Sequence, residues 1–208
     1  MAQLCAKCLE TAAALTSCLP LNFLDIQVQI CMQTHDSTIT LSDGTVIHFR
    51  RIRPSDISPL SQAFGRLSPR SLYLRFLAPI SRLSDTQLRK IANVDFVDSV
   101  TLAAELCDVP EQPLAGIGQW VRGSSDPQVA ELALTVVDEY QRRGVGLALL
   151  HRLAQLAEER GVHWFEAIVL AGNVAVRSGL NRLGAQQVGY DMGAYEFRIS
   201  TRACSLRG

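Results

Sequence analysis

The most specific chemistry in this chain lies at Gln141-Arg142-Arg143-Gly144-Val145-Gly146, where an apolar run ending at Val137 passes into a segment of helical period. A helix begins with about four backbone N–H groups that have no intrahelical acceptor, and its dipole adds partial positive charge there. Such an end binds phosphate. Gly144 and Gly146 carry no Cβ, so a pyrophosphate can approach the backbone, while Arg142 and Arg143 add charge at the rim. Taken alone, the paired glycines equally suit close packing of helix on sheet. Context excludes two other phosphate loops. A dinucleotide fingerprint needs a third glycine where Leu149 stands, and a Walker loop needs Gly-Lys-Ser or Gly-Lys-Thr, which is absent.

Ten residues before Gln141, Glu131 interrupts the apolar run Ala130-Glu131-Leu132-Ala133-Leu134. If that carboxylate is buried, its desolvation demands a purpose, and proton transfer is one. The alternative places Glu131 on the solvent side of an alternating strand, and one sequence does not fix strand facing. His48, His151 and His163 have no Cys, Asp or Glu at triad or ligand spacing, so they read as structural or surface residues, and His35 lies in a polar lead-in. Tyr190 and Tyr195 read as aromatics at the core's edge with wet hydroxyls. Tyr73 and Arg75 would either line an acceptor groove or, more plainly, pack and point into solvent respectively.

The elements that must position these groups follow from periodicity and punctuation. Ser42-Asp43-Gly44 turns into the alternating strand Thr45-Val46-Ile47-His48-Phe49-Arg50. Helical spacing then runs from Pro54-Ser55-Asp56 through Ile57, Leu60, Phe64 and Leu67. A second helix starts at Pro69, with Leu72, Tyr73, Phe76 and Leu77 on its apolar side, and a third covers 84–93. Strands are expected at 100–106, 114–121 and 129–137, joined as a meander. A helix follows through Leu147, Leu150, Leu153, Ala154 and Ala157 to Gly161, then a buried strand at 164–170, a helix at 173–183, and strands at 186–190 and 195–200. The fold class is therefore mixed α+β: a central, mostly antiparallel sheet of about seven strands, splayed at the anion site, with flanking helices.

The domain is expected to span residues 39–201, with a tail at 202–208. Residues 1–38 read as an appendage, either disordered or not native to the domain, since the first alternating strand begins only after Ser37. Cys5, Cys8, Cys18 and Cys31 crowd this appendage without supplying a second ligand pair, so they are expected to be reduced thiols, with no metal and a cytoplasmic setting. The apolar stretch 11–24 is broken by Pro20 and is shorter than the ~20 residues a membrane span needs. Twenty basic residues balance twenty acidic ones, so no net field draws the chain to nucleic acid or an anionic membrane. Oligomeric state is not legible.

The Q-x-x-G-x-G form of residues 141–146, preceded by a strand and followed by helix, strand and Asn173, resembles the GCN5-related N-acetyltransferase (GNAT) superfamily over roughly residues 39–201. Asp43-Gly44, Ile52-Arg53-Pro54-Ser55-Asp56 and Leu67-Ser68-Pro69-Arg70-Ser71-Leu72-Tyr73-Leu74-Arg75-Phe76 are similar to the acetyltransferase domain of bacterial protein-lysine acetyltransferases. The resemblance implies an N-acetyltransferase with acetyl-CoA as co-substrate. It implies that the N–H groups of Arg142, Arg143, Gly144, Val145, Gly146 and Leu147 hold the pyrophosphate. Backbone from Leu134 through Val136 and Val137 would pair with the pantetheine arm, Asn173 would bond its other side, and Val136 N–H would polarise the thioester carbonyl. Glu131 would serve as general base for a protein lysine, or for a small amine such as a polyamine, amino acid or antibiotic. A non-catalytic acyl-CoA sensor is the reading from another class. Many members carry a tyrosine to protonate the leaving thiolate seven residues after the asparagine; here that residue is Leu180.

Overall fold

A computed structural model describes residues 37–205 apart from 42, 108 and 112. The expectations for residues 1–36, the four early cysteines and His35 included, lie outside the described residues. Among the described residues, eight strands form one sheet in the order β1-β2-β3-β4-β5-β6-β8-β7. They are β1 (Ser37–Thr40), β2 (Val46–Arg51), β3 (Ser99–Leu106), β4 (Leu114–Arg122), β5 (Val129–Val136), β6 (Trp164–Leu170), β7 (Gln186–Asp191) and β8 (Ala194–Ser200). Every neighbouring pair is antiparallel except β5 and β6, which run parallel. The first strand thus begins at Ser37, two residues earlier than its alternation shows.

Among the described residues, six helices flank the sheet: α1 (Ile57–Gly65), α2 (Pro69–Phe76), α3 (Asp85–Ala92), α4 (Val145–Glu158), α5 (Val174–Arg182) and α6 (Thr201–Ser205). Capping chemistry starts two of them. Ser68 accepts the Ser71 N–H with Pro69 in the first turn, and Ser84 accepts the Gln87 N–H while Gln87 returns the bond. The short α6 was not legible at 202–208; Thr201 and Cys204 are buried, and Cys204 joins the core beside α4.

Two cores fill the faces of the sheet. On one, α4 lays Leu149, Leu150, Leu153 and Ala157 against Phe49, Leu102, Trp120 and Phe165. On the other, α1, α2 and α3 supply Leu60, Phe64, Leu72 and Leu88 over Ile52, Ile117 and Val137. Helix α4 approaches β4 at two glycines. A Cβ on Gly118 would lie 2.6 Å from Leu153 Cδ1 and 2.9 Å from Leu134 Cδ2, so glycine there is a packing requirement. The second core also contains Arg50, buried between Asp56 and Glu105; its Nη1 lies 2.7 Å from Asp56 Oδ2 and its Nε 2.6 Å from Glu105 Oε1. Among the described residues, no helix is long and apolar enough to cross a membrane.

Candidate functional site

The parallel pair β5–β6 holds together only briefly. Val129 pairs with Trp164, Ala130 with Phe165 and Glu131 with Glu166, and there the ladder stops. Beyond Glu131, β5 remains paired to β4 as far as Val136, so a gap opens on its other edge. The direction of the backbone groups follows from one bond: Val137 N–H donates to Ala115 O at 2.9 Å, toward β4. Alternation along the strand then turns the N–H and C=O of Leu132, Leu134 and Val136 into the gap. Apart from Val136 C=O, which accepts from the Gln141 side chain, these are open hydrogen-bonding groups at a sheet edge, suited to an extended ligand.

Leu134 and Val136 therefore stand where the sequence expects an arm to pair. Val137 does not. Its N–H is spent on Ala115, its C=O accepts from Tyr140, and its side chain is fully buried in the second core. The strand has ended at Val136 and the chain has turned into the short 3-10 turn Asp138–Tyr140.

That turn leads into the helix start where the sequence expects an anion. Arg142 has φ 60°, and Gly144, the residue ahead of α4, has φ 95°, a left-handed value that glycine takes without strain. Ala148 N–H is the first to find the helix's own carbonyl, on Gly144 at 3.0 Å. The N–H groups of Val145, Gly146 and Leu147 precede it at the open helix start, where an anion is favoured. Around Gly146 there is room, since a Cβ there would meet only Val136 Cγ2 at 3.4 Å.

Two residues of the signature do something other than touch a ligand with their side chains. Gln141 Nε2 donates to Val136 O at 3.0 Å, to Asp138 Oδ1 at 3.0 Å and to Ser71 Oγ at 3.3 Å, which braces the turn against β5 and α2. Arg143, expected to be free at the rim, is instead tied to the β1–β2 turn: its Nε donates to Asp43 Oδ2 at 2.7 Å, and its Nη2 to the Thr45 hydroxyl. Chiefly through the Arg143 hydrogen bond, Asp43 is brought down to about 2. Rim charge is thus left to Arg142, exposed and without an ion pair among the described residues. The partners 43 and 143 are a hundred residues apart, and only Asp43's place in a turn marked it in the sequence.

Across the gap, Asn173 caps α5, its Oδ1 accepting Val176 N–H at 3.4 Å. Ile168 and Val174 on the same side are 58% and 63% exposed. Leu180 is buried and offers no proton.

Glu131 is exposed rather than buried, so the desolvation argument for it fails. Both Val129 and Ala130 point into cover, and the alternation breaks at the carboxylate. What distinguishes Glu131 is position: it is the last residue of β5 paired on both edges, at the closed end of the gap. Its in-register neighbour Glu166 is held by Arg198, whose Nε and Nη2 lie 3.0 and 2.6 Å from Oε1. Val121, opposite Glu131 on β4, is 42% exposed, so the sheet face here is open.

His48 Nδ1 lies 3.5 Å from Glu105, a carboxylate that sequence spacing did not suggest, and burial lowers the pKa of His151. Tyr195 stacks on Tyr190 at 4.7 Å and under Arg177 at 4.1 Å. Tyr73 and Leu77 are exposed, against the apolar side expected of them, because α2 is short and Leu77 ends it in a left-handed conformation. Arg75 does not point into solvent: its Nε donates to Thr135 Oγ1 at 3.1 Å, against β5.

The sheet thus splays beside a parallel strand, with an open helix start at the foot of the gap. Comparison with known proteins is specific. Residues 85–184 match the acetyltransferase (GNAT) family. The chain is 30% identical over 155 residues to the acetyltransferase Pat of Mycolicibacterium smegmatis, covering 74% of this chain but 46% of that protein. It is 28% identical over 145 residues to the acetyltransferase PA5475 of Pseudomonas aeruginosa, covering 70% of this chain and 77% of the other. The crystal structure of the GNAT domain of S. lividans PAT superposes with a TM-score of 0.75 at 30% identity, covering 81% of this chain and 98% of that one. This chain belongs to the GNAT acetyltransferase family, spanning about half the length of its mycolicibacterial relative.

Proposed function

We propose that the chain transfers an acetyl group from acetyl-CoA to a lysine side chain of a protein, by direct attack within a ternary complex. The observation that carries this is the gap itself: open N–H and C=O groups on β5, continuous with the helix start of α4. The phosphates of coenzyme A would rest on the N–H groups of residues 142–147, and its arm would run along Leu134 and Val136 toward the closed end. Family membership supports acetyl-CoA as the donor.

A lysine ammonium, with an ordinary pKa near ~10.4, must lose its proton before it attacks. Glu131 stands at the closed end of the gap on an open face, and on this reading it accepts that proton directly or through water. The amine nitrogen then bonds to the carbonyl carbon, a β5 N–H draws charge onto the carbonyl oxygen, and the carbon–sulfur bond breaks. The exposed surroundings of Glu131 and Val121 favour an acceptor presented on a protein surface over a small amine enclosed on all sides.

Incubation with radiolabelled acetyl-CoA and a lysate of the source organism tests the reading. Labelled protein bands are expected. Label confined to small molecules moves the acceptor to a free amine, and tight coenzyme A binding without any transfer makes the chain a sensor.

A further inference from the structure

Several buried or half-buried arginines of this fold meet carboxylates: Arg50 with Asp56 and Glu105, Arg66 with Glu139, Arg122 with Asp98, Arg143 with Asp43, and Arg198 with Glu166, whereas Arg177 donates to Ala171 O and lies over the Tyr195 ring. Arg75 is the contrast. Its contacts are the Thr135 hydroxyl and the Phe76 ring, whose centroid lies 4.9 Å from the guanidinium carbon. Burial pulls its pKa down and no carboxylate opposes that pull. The acids on the elements packed around it are engaged elsewhere or distant. Asp138 accepts from Ser68 and Gln141, and Glu139 from Arg66. Glu131 is four residues along β5, roughly 13 Å at strand spacing. Arg70 and Tyr73 of α2 bring no negative charge at neutral pH.

A desolvated cation without an anion is costly unless a ligand supplies one. Thr135 lies on the face of β5 that also carries Glu131, beside the open edge, between the helix start and the closed end of the gap. Neither bordering strand has an acid there: 132–136 reads Leu-Ala-Leu-Thr-Val and 167–170 reads Ala-Ile-Val-Leu. The reaction proposed above nonetheless leaves an anion in this gap, the thiolate of coenzyme A.

We infer that Arg75, with the Thr135 hydroxyl it orients, faces the sulfur of coenzyme A and stabilises it as the thiolate. The inference rests on the cofactor reading given above. As the C–N bond forms and the C–S bond breaks, the electron pair stays on sulfur opposite the guanidinium; Glu131, having already passed the ammonium proton to water, takes through water the second proton that nitrogen sheds on becoming an amide. Coenzyme A then departs as thiolate and takes a proton from solvent. No protein acid is required for the leaving group.

The test needs no acceptor. Affinity for coenzyme A and for desulfo-coenzyme A, which lacks the thiol, is measured by calorimetry between about pH 6.5 and 9.5 on the parent chain, Arg75→Lys and Arg75→Gln. An opposite charge at close range lowers a thiol from its ordinary ~8.5 by a unit or more. In the parent and Arg75→Lys, the preference for coenzyme A over desulfo-coenzyme A should therefore rise about tenfold across this range. In Arg75→Gln the preference should stay within twofold, with desulfo-coenzyme A affinity and melting temperature unchanged. A flat preference in the parent overturns the role of Arg75 while leaving the cofactor site standing. Equal loss of both ligands in Arg75→Gln makes Arg75 a brace and also overturns it. Failure of the parent to bind either ligand takes down the cofactor reading and this inference together.

Discussion

Gly146→Asp separates folding from cofactor binding at the turn. Gly144 is the poorer choice, because its φ of 95° strains any side chain whatever the ligand does. Gly146 lies in the first turn of α4, and a Cβ there meets only Val136 Cγ2 at ordinary contact distance. An aspartate in a first helical turn is favourable for the helix by about 0.3–1 kcal/mol, so the variant should melt at or above the parent temperature. The same charge faces the phosphates. Two unit charges about 4 Å apart repel by about 1 kcal/mol in water and about 4 kcal/mol at the effective dielectric of a protein surface. A loss of about 2 kcal/mol, roughly thirtyfold in affinity for coenzyme A, lies between these limits. Calorimetric titration at low and high salt reads it, with Gly146→Ala as the uncharged control, and added salt should shrink the loss. A folded Gly146→Asp that binds coenzyme A within threefold of the parent would refute the assignment of this turn.

Three further outcomes follow from the packing and charge around the site. Gly118→Val should lower the melting temperature sharply, as its side chain meets Leu153 and Leu134, at the cost of about 1–3 kcal/mol that overpacking usually brings; a thermal melt checks it. Asp56→Ala removes one of two carboxylates from buried Arg50, whose pKa rises through pairing with Asp56 and Glu105 despite burial, and with Glu105 still in place should destabilise by about 1.5–3 kcal/mol in urea titration. Asp43 is depressed to about 2, so its contribution is fully present above the ordinary carboxylate range and lost as pH falls from about 4 through 2. The stability difference between parent and Asp43→Asn should hold constant near neutral pH and vanish over that acid window in pH-dependent melts.

Much of the fold was legible because its signals are local. Helix α2 is written by Ser68-Pro69, α3 by its start at Ser84-Asp85, and α4 by its spaced leucines, and the change of period at Gly144 marks the strand-to-helix junction. The β5–β6 gap was legible only through resemblance, since nothing in residues 129–136 or 164–170 records where their pairing stops. Side-chain partners across the sheet were not legible at all. Arg143 with Asp43, Arg75 with Thr135 and Arg198 with Glu166 are joined by topology, over separations that periodicity does not reach. Glu131 shows the limit on the other side: the apolar run around it suggested burial, whereas the strand face it occupies is open.

Glu131→Gln tests the account most directly, because it keeps the size of an exposed side chain and removes only its capacity to take a proton. The measurement is the rate of acetyl transfer to protein acceptor against pH, beside calorimetric affinity for coenzyme A. The account predicts a loss of 10²–10⁴-fold, roughly the usual worth of a positioned base, with affinity unchanged and rate recovered only at alkaline pH, where the amine deprotonates on its own. Near-parental turnover at neutral pH in Glu131→Gln would contradict it.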